Sequence, residues 1–325
     1  MHPPPAVSLP GPMAFAGLCL YLLLIAVAAF AGGSSLGLVS LGHRPMQVLL
    51  SLTGGVLLGV GLLHLLPHAC FALDRDIELT AIWTLVGFFA MFLLERAFHG
   101  HAHHTADGTH DGIQDGGPDG HHDGDHDGHH CGHGHAAAPH EHGTAGRWAS
   151  GRWAWCGAFA GLALHSLADG AALAASVNAD AAHGGGLFSG FATFLAILLH
   201  KPFDAAIIAT LMIGSAAPPR WRFVANAAYA LVVPLGAAAF LASLQFCGGH
   251  ERQVLGIAMA MAAGAFICIA AADLLPEVQF HSHDRLLLTT ALAIGLTIAW
   301  GITVIERSGH GHARHAPAST PGDAR

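Results

Sequence analysis

Two histidine–aspartate pairs with the same spacing lie in strongly apolar parts of the sequence. His165 and Asp169 belong to the segment GLALHSLADGAALAAS. The same spacing separates His200 from Asp204 in the segment FLAILLHKPFDAAIIA. Residues four apart project from one face of a helix, one turn from each other. Imidazole nitrogens and carboxylate oxygens are ligands for zinc and neighbouring divalent ions. The two pairs therefore predict a divalent-metal site.

The segments that carry these pairs are long enough to cross a lipid bilayer. About 20 apolar residues span a bilayer as a helix. Runs of that length occur at roughly 13–38, 46–73, 79–98, 153–177, 187–213, 222–245, 252–279 and 284–305. Charged residues make up only 10% of the chain, against about 25% in soluble domains. We therefore expect an all-α polytopic membrane protein with eight transmembrane helices and no surface for nucleic acid.

The depth of the two pairs strengthens the metal-site hypothesis. A charge at the centre of a membrane helix costs on the order of 2.5–3.5 kcal/mol on insertion scales, so each one needs a partner. His165 lies about twelve residues into the fourth run and His200 about thirteen into the fifth. Because consecutive helices run antiparallel, both pairs should lie near the membrane midplane. A bound cation there would stabilise the neutral imidazoles and the ionised carboxylates.

Lys201 and Pro202 stand inside the second pair. A bound metal would repel the Lys201 ammonium unless that group pairs with Asp169, Asp204 or another carboxylate. We interpret Lys201 as a tethered positive charge in the place of a second metal, which predicts a mononuclear site. The alternative is a side chain that reaches a membrane interface. Pro202 predicts a kink in the fifth helix, which either exposes carbonyl oxygens to a cavity or serves packing alone.

Two related motifs lie in the second and seventh runs. The segment GLLHLLPHAC contains His64 and His68, and AADLLPEVQF contains Asp273 and Glu277. Each motif places two polar residues four apart around Leu-Leu-Pro, an arrangement that resembles the inverted repeats of many transporters. We expect the two histidines to receive the arriving metal and the two acids to receive it on departure. The alternative is that both motifs only mark the ends of spans.

A segment of different composition separates the third and fourth runs. From His99 to about Gly146 it consists mainly of Gly, His and Asp, which cannot bury enough apolar surface to fold. We expect a loop that binds divalent ions loosely as a metal buffer or sensor; the alternative is an inert linker.

The chain is therefore expected to have four parts. These are an N-terminal tail with helices 1–3 (residues 1–98), a disordered His-rich loop (99–150), helices 4–8 with the metal site (151–308) and a disordered C-terminal tail (309–325).

The arginines indicate an orientation. Cytoplasmic loops carry an excess of Lys and Arg, and most arginines fall on one side if the N-terminus lies outside. Both termini are then outside and the His-rich loop is cytoplasmic. The short loops and the lack of targeting signals predict a bacterial inner (plasma) membrane.

Taken together, these motifs resemble the ZIP (Zrt/Irt-like protein) metal transporters over nearly the whole chain. The resemblance is carried by the eight runs, the His-rich segment after the third, and the motifs HSLADG, HKPFDA, HLLPHA and DLLPEV. It implies a ZIP-like bundle in which the metal is held by His165, Asp169, His200 and Asp204. Members of this family generally move divalent ions toward the cytoplasm, and several are dimers. The resemblance thus implies inward transport of Zn²⁺ or a related ion (Fe²⁺, Mn²⁺, Cd²⁺, Ni²⁺) and allows a homodimer.

Three positions depart from the family's pattern. Ser166 stands where many members have Asn in an adjoining second site, and Lys201 stands where some have an acid. Both departures argue against a binuclear centre, and Ser166 is retained as a candidate pathway residue. Ala168 stands where a proline is frequent, so the fourth helix should bend less.

Two other functions could use the same residues. A metal exporter of the cation-diffusion type is described by six spans and a soluble C-terminal domain, whereas this sequence continues for only about twenty residues after its last run. An intramembrane zinc hydrolase would use the metal to activate water, with Ser166 beside His165. The sequence offers no recognisable general acid or base for that reaction. We therefore expect a transporter without a prosthetic group, not an enzyme, whose partners are metal ions and the lipid bilayer.

The first prediction concerns the His-rich loop. Replacing residues 103–146 by a short Gly/Ser linker should leave metal uptake measurable, because His165, Asp169, His200 and Asp204, the predicted metal ligands, all lie on membrane helices. Cellular metal content, normalised to the amount of protein in the membrane, measures this. Loss of uptake at normal membrane abundance would show that the loop belongs to the transport pathway.

Overall fold

The computed structural model describes residues 10–34, 43–99, 154–182, 186–280 and 285–312. Within these helices the side chains of residues 43, 97–99, 154, 273–280 and 306–312 are not described. The third predicted span ends in a helix that reaches His99, and the rest of the predicted loop, residues 100–150, lies outside the described residues. Of the predicted C-terminal tail, residues 309–312 continue the last helix, since this segment contains no proline to end it. The rest of the tail lies outside the described residues.

Ten α-helices form the described part of the chain, in which no strand occurs. They are α1 Pro12–Ser34, α2 His43–Val60, α3 Leu66–Ala72, α4 Ile77–His99, α5 Ala154–Ala182, α6 Phe191–Gly214, α7 Pro219–Ala230, α8 Val232–Leu244, α9 Glu251–Phe280 and α10 Arg285–His312. By length and composition they provide eight candidate membrane spans, at 12–34, 44–72, 77–96, 155–182, 186–214, 219–244, 251–272 and 285–305. The predicted all-α architecture with eight spans is confirmed.

Prolines explain why two spans consist of two helices each. Pro234 has no N–H to offer the carbonyl four residues before it, and the sixth span is interrupted at Leu231. Pro67 acts in the same way in the second span, where a π-helical turn, Gly61–Leu65, joins α2 to α3. The fifth span differs, because α6 continues without interruption through Pro202.

The eight spans pack as two groups. Group A contains the second, third, seventh and eighth spans, and its most extensive contacts join α4 to α9 and α10 to α2. Group B contains the first, fourth, fifth and sixth spans, with its main contacts between α5 and α8 and between α1 and α6. Contacts between the groups are less extensive and involve mainly α5 with α9 and α2 with α6. The two predicted His/Asp pairs both lie in group B, on α5 and α6.

Glycines allow the closest helix contact in group B. A Cβ atom built on Gly170 of α5 would overlap the carbonyl oxygen of Val233, and one on Gly236 of α8 would overlap that of Leu167. The fourth and sixth spans are therefore in backbone contact. Small residues permit this approach in lipid, where helices associate through van der Waals packing and hydrogen bonds. The contact holds α8 against α5, the helix that carries the first His/Asp pair.

The second prediction tests this contact. Gly170→Ala should lower the thermal unfolding temperature of the purified protein, because the added methyl group must separate two backbones; overpacking typically costs about 1–3 kcal/mol. Gly214→Ala is the matched control, since Gly214 is exposed at the end of α6 with no atom within 4 Å of its ideal Cβ position. Equal unfolding temperatures for the two variants would contradict the close packing of the fourth and sixth spans.

Candidate metal centre

The structure brings the four predicted ligands together between the fourth and fifth spans. Nε2 of His165 lies 3.3 Å from Oδ2 of Asp169 and 3.8 Å from Oδ2 of Asp204. Nε2 of His200 lies 3.3 Å from Oδ2 of Asp169 and 4.0 Å from Oδ2 of Asp204. We call these four residues the central site. Ligand atoms of His165, His200 and Asp204 all lie within 4.8 Å of one another, a spacing that could hold a metal ion.

The orientation of His200 suits a metal ligand. Its Nδ1 lies 2.8 Å from the carbonyl oxygen of Ala196, which can only accept, so Nδ1 carries the proton. Nε2 then faces the Asp169 carboxylate at 3.3 Å. A hydrogen bond from the other ring nitrogen to a carbonyl is the usual way in which proteins fix a ligating imidazole.

His165 is buried with an unsatisfied nitrogen. Its side chain is 5% exposed, and among the described residues its Nδ1 has no hydrogen-bond partner. Buried polar atoms are normally hydrogen-bonded, so this nitrogen is an exception in the helix core. The other ring nitrogen, Nε2, faces the carboxylates of Asp169 and Asp204 and is the atom that would meet a bound ion.

Lys201 is fully buried between the two carboxylates. Its Nζ lies 2.6 Å from Oδ2 of Asp169 and 2.8 Å from Oδ2 of Asp204, and it donates a hydrogen bond of 3.1 Å to Oγ of Ser166. The alternative of a side chain that reaches a membrane interface is therefore wrong. A buried ammonium must be paired, and these two aspartates supply the pairing.

Tyr229 contacts the central site, and it was not identified from the sequence. It reaches the site from α7, donates a hydrogen bond of 3.1 Å to Oδ2 of Asp204, and lies 2.9 Å from Oγ of Ser166. The Lys201 ammonium lies 5.9 Å from the centre of its ring, within the range of a cation–π contact. Tyr229 is one of only two tyrosines in the chain, and this rarity was the only feature of the sequence that could have drawn attention to it.

Ser166, the predicted pathway residue, lies beside the central site. Its hydroxyl accepts a hydrogen bond from Lys201 and lies 2.9 Å from the Tyr229 hydroxyl.

A cavity of about 120 Å³ adjoins the central site and is lined by His165, His200 and Asp204. Its other walls come from four spans. The first halves of the second and fourth spans contribute Leu50, Thr53 and Leu162, and the second halves of the third and fifth spans contribute Glu95 and Ile207. Because successive spans alternate in direction, these halves lie on one side of the membrane. The central site therefore adjoins a cavity on the side where α4 ends and α5 begins.

A second group of potential ligands lies near the opposite ends of the same spans. His64 and His68, predicted from the sequence, are joined by Asp180 of α5, and one ligand atom from each could surround a metal ion. The Asp180 carboxylate lies 3.7 Å from Nε2 of each histidine. We call these three residues the peripheral cluster. Asp180 was missed, although an acid at the end of an apolar run was a visible signal. The predicted Asp273 and Glu277 lie on α9, but their side chains lie outside the described residues.

Comparison with known families gives one match. The model of a family described as ZIP zinc transporters matches residues 13–304, which is nearly the whole chain. No curated protein matches the sequence. The matched range includes every residue of the central site and of the peripheral cluster, and it confirms the family suggested by the sequence motifs.

The third prediction concerns the buried ion pairs. Lys201→Met should lower the free energy of unfolding markedly, because it leaves two buried carboxylates without their ammonium; removing one partner of a buried pair costs about 3–5 kcal/mol. Thermal unfolding of the purified, metal-free protein measures the effect. The double variant Lys201→Met/Asp169→Asn should recover part of the loss, since it removes one unpaired charge. A single variant as stable as the wild type would contradict the pairing.

Proposed function

Because the chain belongs to the ZIP zinc transporter family, we propose that it moves zinc across the membrane toward the cytoplasm through the central site. The convergence of His165 and Asp169 of α5 with His200 and Asp204 of α6 carries this proposal. Two imidazoles and two carboxylates form a mixed N/O ligand set suited to zinc. Iron, manganese, cadmium and nickel remain alternative substrates, since the same ligands suit them.

We propose further that the central site holds one ion at a time. Lys201 contacts the Oδ2 atoms of both aspartates, and these are the oxygens that face Nε2 of the two histidines. With one ammonium already present, two carboxylates and one divalent ion leave a net charge of +1, whereas a second divalent ion would raise it to +3. Such a charge would be strongly unfavourable in a membrane interior. The ammonium thus takes the place of a second cation.

The cavity and the proposed orientation support transport toward the cytoplasm. The central site adjoins a cavity on the side where α4 ends, and the arginine distribution places that side in the cytoplasm, with the termini outside. Metal would arrive past His64 and His68, bind the central site, and leave past Asp273 and Glu277. Because this cavity lies on the loop side, metal from the outer side can reach the central site only if the two helix groups shift against each other, and their limited mutual packing permits this.

The fourth prediction tests the central site. Asp204→Ala should reduce zinc accumulation in cells to the level of cells without the protein, because it removes a ligand and leaves Lys201 paired with Asp169 alone. Glu78→Ala is the matched control, a loss of an exposed carboxylate in the first turn of α4. Membrane abundance of both variants is measured in parallel. Normal uptake by Asp204→Ala at equal abundance would end the proposal.

Two further measurements separate the alternative functions. In vesicles of known orientation, metal movement from the N-terminal side to the loop side supports import, and movement only in the other direction indicates an exporter. Incubation of the purified, zinc-loaded protein with amide and lipid ester substrates tests for a hydrolase. Hydrolysis that disappears in Asp204→Ala would replace the transport hypothesis with an enzymatic one.

A further inference from the structure

We propose that the peripheral cluster, His64, His68 and Asp180, is a second divalent-metal site that bridges the two helix groups. His64 and His68 belong to the second span, in group A, and Asp180 belongs to the fourth span, in group B. The sequence indicates only two histidines four apart in one span. Only the tertiary structure shows that Asp180 is the third potential ligand and that the three residues connect group A with group B.

The spacing of the three side chains is close to that of a zinc site. Zinc bonds of about 2.0–2.2 Å in tetrahedral geometry place ligand atoms roughly 3.3–3.5 Å apart. Asp180 presents Oδ2 at 3.7 Å from Nε2 of His64 and Oδ1 at 3.7 Å from Nε2 of His68. The imidazole rings of His64 and His68 lie 4.7 Å apart between centroids. One ligand atom from each of the three residues lies within 4.8 Å of the other two, a spacing that could hold a metal ion.

Neighbouring polar groups contact two of the ligands. The backbone N–H of Gly190 donates a hydrogen bond of 2.7 Å to Oδ2 of Asp180, and a carboxylate can accept this bond and bind an ion as well. Contacts of this kind orient ligands around metals, and losing one typically lowers metal affinity about 10–100-fold. Nε2 of His64 lies 3.0 Å from Oγ of Ser176, which accepts a hydrogen bond of 2.9 Å from the Thr193 hydroxyl. An ion bound at this nitrogen would take the place of its contact with Ser176.

The backbone of the second span is irregular at this position. Within the π-helical turn Gly61–Leu65, the N–H of Leu66 bonds to the carbonyl oxygen of Gly61, five residues earlier. Single π-helical turns inside α-helices are frequent at functional sites. His64 lies in the turn and is buried, whereas the side chain of His68, beyond it, is 26% exposed. The cluster therefore combines a buried ligand with one that can meet an ion from the aqueous side.

The peripheral cluster is separate from the central site. Asp180 follows His165 by fifteen residues on the continuous helix α5, which corresponds to about 22 Å along the helix axis. An ion bound by one set of ligands cannot contact the other. The two sites can therefore be emptied independently by substitution.

Occupancy of a bridging site should influence transport, and this step rests on the proposed function. An ion held by both groups stabilises the arrangement of groups seen here, in which the cavity beside the central site faces the loop side. A ligand shifts an equilibrium toward the state that it binds better. High metal concentration on the side of the peripheral cluster should thus slow the return of the carrier and reduce uptake.

The fifth prediction tests binding in the full-length protein by hydrogen–deuterium exchange with and without zinc. Zinc should reduce deuterium uptake in peptides covering residues 61–73 and 176–193, in the wild type and in the central-site variant His165→Gln/His200→Gln. The reduction should be lost in Asp180→Asn, whose side-chain oxygen can still accept from the Gly190 N–H, and in His68→Gln, which replaces a partly exposed side chain. Glu78→Gln, on the same side of the membrane, is the control and should retain it. The exchange is read peptide by peptide, so ions on the His-rich loop do not interfere.

The same variants are then compared in uptake assays over a wide range of zinc concentrations. Wild-type uptake should rise to a maximum and then fall. In Asp180→Asn and His68→Gln the fall should move to zinc concentrations at least about 10-fold higher, the lower end of the loss typical of perturbed metal sites. Glu78→Gln should follow the wild type.

Each outcome decides one part of the proposal. Lack of zinc protection in the wild type, or protection that persists in both peripheral variants, overturns the second site. Protection that disappears in the central-site variant also overturns it, because the signal would then report the central site. A wild-type curve without a fall refutes the effect on transport. Absence of any uptake refutes the proposed function, while the binding result stands by itself.

Discussion

The pairing of the Lys201 ammonium with two aspartates is the interaction on which the central site depends. A lone charge inside a bilayer is costly, and a buried charge that loses its partner destabilises the protein strongly. Lys201 meets Oδ2 of both Asp169 and Asp204, so it joins the fourth and fifth spans at the level of the two histidines. It also holds both carboxylates close to the imidazoles. The ligand set is therefore assembled by an internal cation.

The packing of the helices determines how this set can be used. All four residues of the central site belong to group B, so the site can stay assembled while group B moves relative to group A. The boundary between the groups suits such movement: a largely apolar cavity of about 250 Å³ separates α4 and α9 from α5 beside His165 and Asp169. Within group B, by contrast, Gly170 and Gly236 bring two backbones into contact. In lipid, such close packing is what holds helices together.

The two metal-ligand clusters differ in how they relate to these groups. The central site is built within one group and can travel with it. The peripheral cluster draws its histidines from group A and its carboxylate from group B, so it is complete only in arrangements that bring Asp180 close to His64 and His68. In the proposed function, the central site binds the transported ion, whereas the peripheral cluster responds to how the two groups are arranged.

The sequence by itself determined the eight spans and the two His/Asp pairs. Both depend on local properties, since the length of an apolar run decides whether it crosses a bilayer and a spacing of four decides which residues share a helix face. The roles of Tyr229 and Asp180, the pairing of Lys201 and the division into two groups were decided only by the tertiary structure. Tyr229 meets Ser166 across 63 residues of chain, and His64 meets Ser176 across 112. Such contacts depend on which helices pack together and at what rotation. In a lipid environment, where nearly every outward position is apolar, the pattern along a single helix carries little information about its neighbours.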